Sequence, residues 1–138
     1  MKEIGETSLV KVLLSVEDSK GVLGRLYGLV QGIPEMDVVA TWTNLKEIAL
    51  SVRRFQPDVL VLDLYLADGT AMDVLRDLEF SRNKPILIIL TEQPYEDIEA
   101  QLKMAGADFV LNKSLEFELI VKILSKFSEK EKGNHFAF

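Results

Sequence analysis

The sequence predicts an α/β domain: a doubly wound five-stranded parallel sheet with helices on both faces. Three observations carry that expectation. Short apolar runs alternate five times with stretches of helical periodicity, in strict order, which is the pattern of repeated right-handed strand-helix-strand crossovers. The runs Val59–Leu62 and Ile86–Leu90 are apolar at every position, as strands covered on both faces are. Most of the runs end in an acidic, hydroxyl or basic residue, and in open parallel sheets those ends share one edge.

Taken in order, residues 1–8 are polar and are expected to fray. The first strand is expected over Leu9–Val16 and runs into Glu17-Asp18. A helix over Gly21–Gly32 follows, capped by Ser19 or Asp18, with Val22, Leu26, Val30 and Ile33 at helical spacing. Glycines at 21, 24, 28 and 32 work against it. The β-branched run Asp37–Trp42 reads as the second strand. Asn44 to Glu47 has the form of a capping box for a helix whose apolar face is Leu45, Ile48, Ala49, Val52 and Phe55, ended by Pro57.

Asp58–Asp63 is the expected third strand, followed by a turn at Asp68-Gly69. A third helix is expected over Thr70–Arg82, with Met72, Leu75 and Leu78 inward. Pro85–Thr91 is the fourth strand. Pro94 suits the first turn of the next helix, with Ile98, Leu102 and Ala105 inward and Gly106 ending it. Ala107–Leu111 is the fifth strand. A last helix over Leu115–Lys130 presents Leu119, Ile120, Ile123 and Phe127, and Gly133–Phe138 reads as a tail. One domain is expected over residues 9–131, with flexible termini at 1–8 and 132–138.

Composition narrows the function. A chain of 138 residues is the size of a single domain, and 48% hydrophobic with 28% charged residues is a globular composition. With no cysteine there is no disulfide framework and no thiolate chemistry. The single histidine, His135, falls in the tail, so a histidine zinc site or a His-dependent triad is not expected. A net charge of −6 argues against direct nucleic-acid binding, and no apolar run approaches membrane-spanning length. A soluble, cytoplasmic protein is the expectation.

Asp63 ends an apolar strand, and its carboxylate has two readings. It is either the first loop residue, solvated or capping a helix, or part of a ligand site at the carboxyl edge of the sheet. The same edge would carry Glu17, Asp18, Thr91 and Lys113. Three carboxylates repel one another, a cost that a divalent cation offsets. Mg²⁺ suits them, because it takes hard oxygen ligands and keeps waters for an incoming phosphate. A metal bridging a carboxylate and a phosphoryl oxygen allows that carboxylate to attack phosphorus.

These residues resemble the receiver domain of bacterial two-component response regulators. The matching motifs are VED at 16–18, LVLDLYLADG at 60–69, ILT at 89–91 and GADFVLNKS at 106–114. The resemblance implies a flavodoxin-like receiver fold with sheet order 2-1-3-4-5. It implies that Asp63 is the phosphoacceptor, served by a sensor histidine kinase or a histidine phosphotransfer protein. Glu17 and Asp18 would bind Mg²⁺ with Asp63 and the backbone carbonyl of Tyr65. Thr91 would turn toward the phosphoryl group and Lys113 would pair with it. Tyr65 and Gln93 would flank the site and modulate the attack of water. The partners implied are a downstream effector or output domain, with a homodimer through the last helices also allowed.

Some positions depart from the family pattern. Glu92 stands where a small residue is usual, Val110 where the switch aromatic is usual with Phe109 one place earlier, and Ser114 where proline usually follows the lysine. Ala67 and Ala71 replace the proline and glycine common after the phosphoacceptor. Glu92 and Val110 motivate the rival reading, a pseudo-receiver that binds partners without being phosphorylated. A flavodoxin-like or phosphatase-like enzyme fits less well. Glu17-Asp18 has the wrong charge for a flavin phosphate loop, and Tyr65 stands where an aspartate-based phosphatase has its second acid.

Overall fold

β1 (Val10–Ser15), β2 (Met36–Thr41), β3 (Val59–Asp63), β6 (Ile86–Thr91) and β7 (Phe109–Asn112) form one parallel sheet in the order β2-β1-β3-β6-β7. The structure is a computed structural model and describes residues 9–16, 21–41, 44–92, 96–113 and 116–133, excepting the side chains of 117 and 128–133. Between β3 and β6, β4 (Tyr65–Leu66) and β5 (Gly69–Thr70) pair antiparallel as a separate two-residue ladder. Counted without that ladder, the sheet has the 2-1-3-4-5 order expected.

Five helices cover it: α1 (Val22–Gln31), α2 (Leu45–Phe55), α3 (Ala71–Leu78), α4 (Glu96–Met104) and α5 (Phe117–Gly133). Because successive strand residues point to opposite faces, the sheet separates two cores. Val12, Leu14, Val59, Val61, Ile88 and Leu90 pack with Leu26 and Val30 of α1 and Ile120 and Leu124 of α5. On the other face Leu13, Leu60, Leu62, Leu87 and Ile89 pack with Ile48 of α2, Leu75 of α3 and Leu102 of α4. All five residues of β3 are buried, as its central place requires.

Local chemistry fixes the helix ends. Asn44 accepts a hydrogen bond from the Glu47 N–H at 2.9 Å, capping α2, and Gln56 closes it in the left-handed region with φ 47°. Thr70 and Asp73 form both arms of a capping box at the start of α3. Gly106, at φ 121°, takes the chain out of α4 as expected. Among the described residues, no helix is long and apolar enough to cross a membrane.

Some boundaries differ from expectation. α3 stops at Leu78 rather than Arg82, because Leu78 is its last residue with a core to reach. Phe80 is 90% exposed, and the Glu79 and Ser81 N–H groups donate three residues back, to Arg76 and Leu78. In α3 it is Ala71, Val74, Leu75 and Leu78 that are buried, while Met72 is only partly so. α1 begins after Gly21, a left-handed residue (φ 73°) with no side-chain cap of its own; Ser19 and Asp18, expected to cap the helix, lie outside the described residues.

In α5 Leu119 is 39% exposed, not part of the apolar face. The buried stripe follows Ile120, Ile123 and Leu124, with Phe127 partly buried, and Leu119 sits one helical step off its edge. α5 also takes in Gly133, expected to begin the tail. β2 and β7 are each offset slightly from the predicted runs: β2 begins at Met36, while Trp42 lies outside the described residues, and β7 begins at Phe109 and includes Asn112.

Candidate functional site at the carboxyl edge of the sheet

Asp63 is the last residue of the central strand β3 and pairs in register with Leu90 of β6. The Leu64 N–H donates to the Leu90 carbonyl at 2.8 Å, which extends the pairing one residue beyond it. Asp63 is thus held by the sheet itself, not by a loop. Lys113, fifty positions further along, follows the end of β7 and donates from Nζ to Asp63 Oδ2 at 3.0 Å. Their side chains are only 8% and 7% exposed, for Lys113 and Asp63 respectively. Of the two readings left open for Asp63, the solvated loop residue is excluded.

Thr91, also buried, ends β6 and lies opposite Asn112 of β7. Two hydrogen bonds tie the strand ends together there. The Lys113 N–H donates to the Thr91 carbonyl at 2.9 Å, and Asn112 Nδ2 donates to the Glu92 carbonyl at 3.0 Å. Glu116 accepts from the Asn112 N–H at 2.8 Å and steadies the turn into α5. Thr91 and Lys113 therefore share one frame beside Asp63.

The β4-β5 ladder forms the neighbouring wall. Tyr65 is 68% exposed on it, and the Ala71 N–H returns to the Leu64 carbonyl at 2.8 Å. At its turn Asp68 Oδ1 accepts from the Leu45 N–H at 2.7 Å, anchoring the first turn of α2. Gly69 is closely packed: a Cβ there would meet Leu45 Cδ1 at 2.5 Å and Asp73 Oδ2 at 2.7 Å, so both side chains would have to shift.

Of the residues expected at the site, Asp63, Thr91 and Lys113 are brought to one edge. Glu92 is exposed. Val110 is buried in the core that faces α2, α3 and α4, whereas Phe109 packs against the opposite core. Phe109 therefore cannot stand in for an aromatic at 110, since neighbouring strand residues point to opposite faces. Glu17, Asp18 and Gln93 lie outside the described residues, as does Ser114. Asn112 and Asp68 were not singled out as site residues. Each acts through a contact about twenty residues away in sequence, which no local motif announces.

Asp63 offers a hard carboxylate oxygen of the kind Mg²⁺ takes, while Glu17 and Asp18, expected to complete the ligand set, lie outside the described residues. Among the described residues no cluster of three metal-binding side chains forms. A buried carboxylate beside an ammonium and a hydroxyl can attack an electrophilic phosphorus while the two partners receive its oxygens.

Residues 13–125 match the model of the response regulator receiver domain. The chain is 34% identical over 99 residues to the DNA-binding transcriptional activator DevR/DosR of Mycobacterium tuberculosis, covering 72% of this chain and 45% of that protein. It is 30% identical over 105 residues to a protein-glutamate methylesterase/protein-glutamine glutaminase of Bordetella pertussis, covering 75% and 30%. The chain thus spans less than half the length of these curated relatives.

Among solved structures, the signal receiver domain of a putative Luxo repressor protein from Vibrio parahaemolyticus superposes with a TM-score of 0.75 at 23% identity, over 94% of this chain and 99% of that one. The response regulator domain of Thermotoga maritima CheB gives 0.73 at 20% identity, over 90% and 97%. With the family model matched over most of the chain and the strand order in agreement, this protein belongs to the response regulator receiver domain family.

Proposed function

We propose that this chain is a phosphorylatable signalling switch, not a metabolic enzyme, which takes a phosphoryl group onto Asp63 from a sensor histidine kinase or histidine phosphotransfer protein in the cytoplasm. The observation that carries this reading is the buried contact between Lys113 Nζ and Asp63 Oδ2, 3.0 Å apart at the carboxyl edge of the sheet. A purely structural ion pair gains little at such a place, because desolvation offsets most of the attraction. A nucleophile with a cation beside it gains a binding site for the anion it will carry.

In the transfer an Asp63 oxygen attacks phosphorus, the bond from phosphorus to the donor histidine nitrogen breaks, and the imidazole leaves to be protonated from solvent. Glu17, Asp18, Asp63 and the Tyr65 carbonyl are the residues that would hold Mg²⁺, which when bound neutralises charge on the phosphoryl oxygens. Lys113 would stay with the new dianion, and the Thr91 hydroxyl would donate to it. Phosphorylation adds about 1.5 to 2 negative charges. Because Thr91 and Lys113 are bonded to each other's strand ends, their response shifts the face formed by α4, β7 and α5, which is where an output domain or separate effector would be engaged. Tyr65, exposed on the neighbouring ladder, and Gln93 would govern how readily water reaches the aspartyl phosphate.

The test is intact mass after incubation with a small-molecule phosphodonor, with and without Mg²⁺, beside an Asp63→Ala control. One phosphoryl addition that needs both Mg²⁺ and Asp63 is expected. No addition to a folded protein favours the pseudo-receiver, a reading supported by the aliphatic Val110 and by Phe109 facing the wrong core.

A further inference from the structure

α2 and α3 pack against each other. Between the two helices runs a groove of about 480 Å³ with a mixed apolar and polar lining, in which Ile48, Val52 and Leu78 form the apolar part. That is a size in which proteins lodge bulky apolar groups. Phe80, just beyond the end of α3, forms part of its wall and is 90% exposed, so a large apolar knob and a hole that can receive one lie on the same patch. On the rim Arg53 of α2 and Asp77 of α3 are both exposed, and no ion pair between them or to another described residue is found.

We propose that this groove docks a second copy of the same chain through a two-fold axis, with Phe80 of each copy entering the groove of the other. An isologous contact requires one patch to be complementary to itself. This patch meets the requirement in shape, by having both knob and hole, and in charge, by having one cation and one anion on its rim. Under a two-fold operation Arg53 of one copy faces Asp77 of its partner, and the reverse, so both pairs form at once. Phe80 is the buried aromatic anchor such an interface needs, and the rim pairs set orientation more than affinity. The contact differs from a homodimer through the last helices and leaves α4, β7 and α5 uncovered.

Sedimentation equilibrium on the full chain, up to about 1 mM protein where a weaker contact has no consequence, tests it. The wild type is expected to move from one to two chain masses as concentration rises. Phe80→Ala, Asp77→Arg and Arg53→Asp should each weaken dimerisation at least tenfold. The double exchange Arg53→Asp with Asp77→Arg should recover most of that loss, an outcome that a defect in folding cannot produce. These positions are exposed, so far-UV circular dichroism of the variants should match the wild type. A wild type that stays monomeric, a dimer indifferent to Phe80→Ala, or a double exchange no better than its parents would each overturn the proposal.

Discussion

Replacing Lys113 with methionine removes the ammonium 3.0 Å from Asp63 Oδ2 while keeping most of the apolar stem in place. At an effective dielectric of about 20 the gross attraction at this distance is roughly 5 kcal/mol, much of it offset in the wild type by desolvation of both ions. In the variant Asp63 keeps its desolvation cost and loses its partner, the situation in which breaking a buried pair costs about 3 to 5 kcal/mol.

The expected loss at pH 7 is about 3 kcal/mol, read from urea denaturation followed by circular dichroism. Asp63→Asn added to Lys113→Met should restore at least half of the loss, because no uncompensated buried charge then remains. A loss below about 1 kcal/mol at pH 7, or no recovery when Asp63→Asn is added, would refute the claim that the two charges depend on each other.

Further predictions concern the frame around the site. Ser15 Oγ is fully buried with no hydrogen-bond partner among the described residues, so Ser15→Ala should stabilise by about 1 kcal/mol and raise the melting temperature by about 4 °C; a lower melting temperature would count against it. Gly69→Ala places a methyl against Leu45 and Asp73 and should cost about 1 to 3 kcal/mol by overpacking, with amide exchange rising first at the start of α2. Leu124→Ala should cost about 2 to 5 kcal/mol, whereas Leu119→Ala should stay within about 0.5 kcal/mol, and similar losses in the two would contradict the burial assigned to α5.

Strands were legible wherever an apolar run was long and closed by a turn signal. Val59–Asp63 and Ile86–Thr91 each lie one residue from their expected starts, because a strand buried on both faces leaves no alternation to misread. Helix faces were less legible where apolar residues are adjacent. Leu119 and Ile120 compete for one stripe, and only the packing of Leu124 against the sheet decides between them. The end of α3 was not legible because the sequence does not show where the core stops: Phe80, within the expected helix, is 90% exposed. At the site, Asp63, Thr91 and Lys113 were readable as strand-end residues. Their support was not, since Asp68 and Asn112 act through bonds to distant backbone groups, and a carboxylate or amide in a loop carries no mark of what it will touch.

The bond from Asp68 to the first turn of α2 bears on how freely the chain can vary. The seven residues between Asp63 and Ala71 are bounded at both ends by main-chain bonds, Leu64 to Leu90 and Ala71 to Leu64, and in the middle by a side chain that holds a different helix. Adding or deleting one residue here would not be absorbed as surface loops usually absorb it. It would turn Asp68 away from Leu45 and release one wall of the α2-α3 face while leaving the sheet intact. The segment that follows the reactive carboxylate is thus a measured spacer, and its length fixes the distance between the chemistry on one side of the domain and the shape of another.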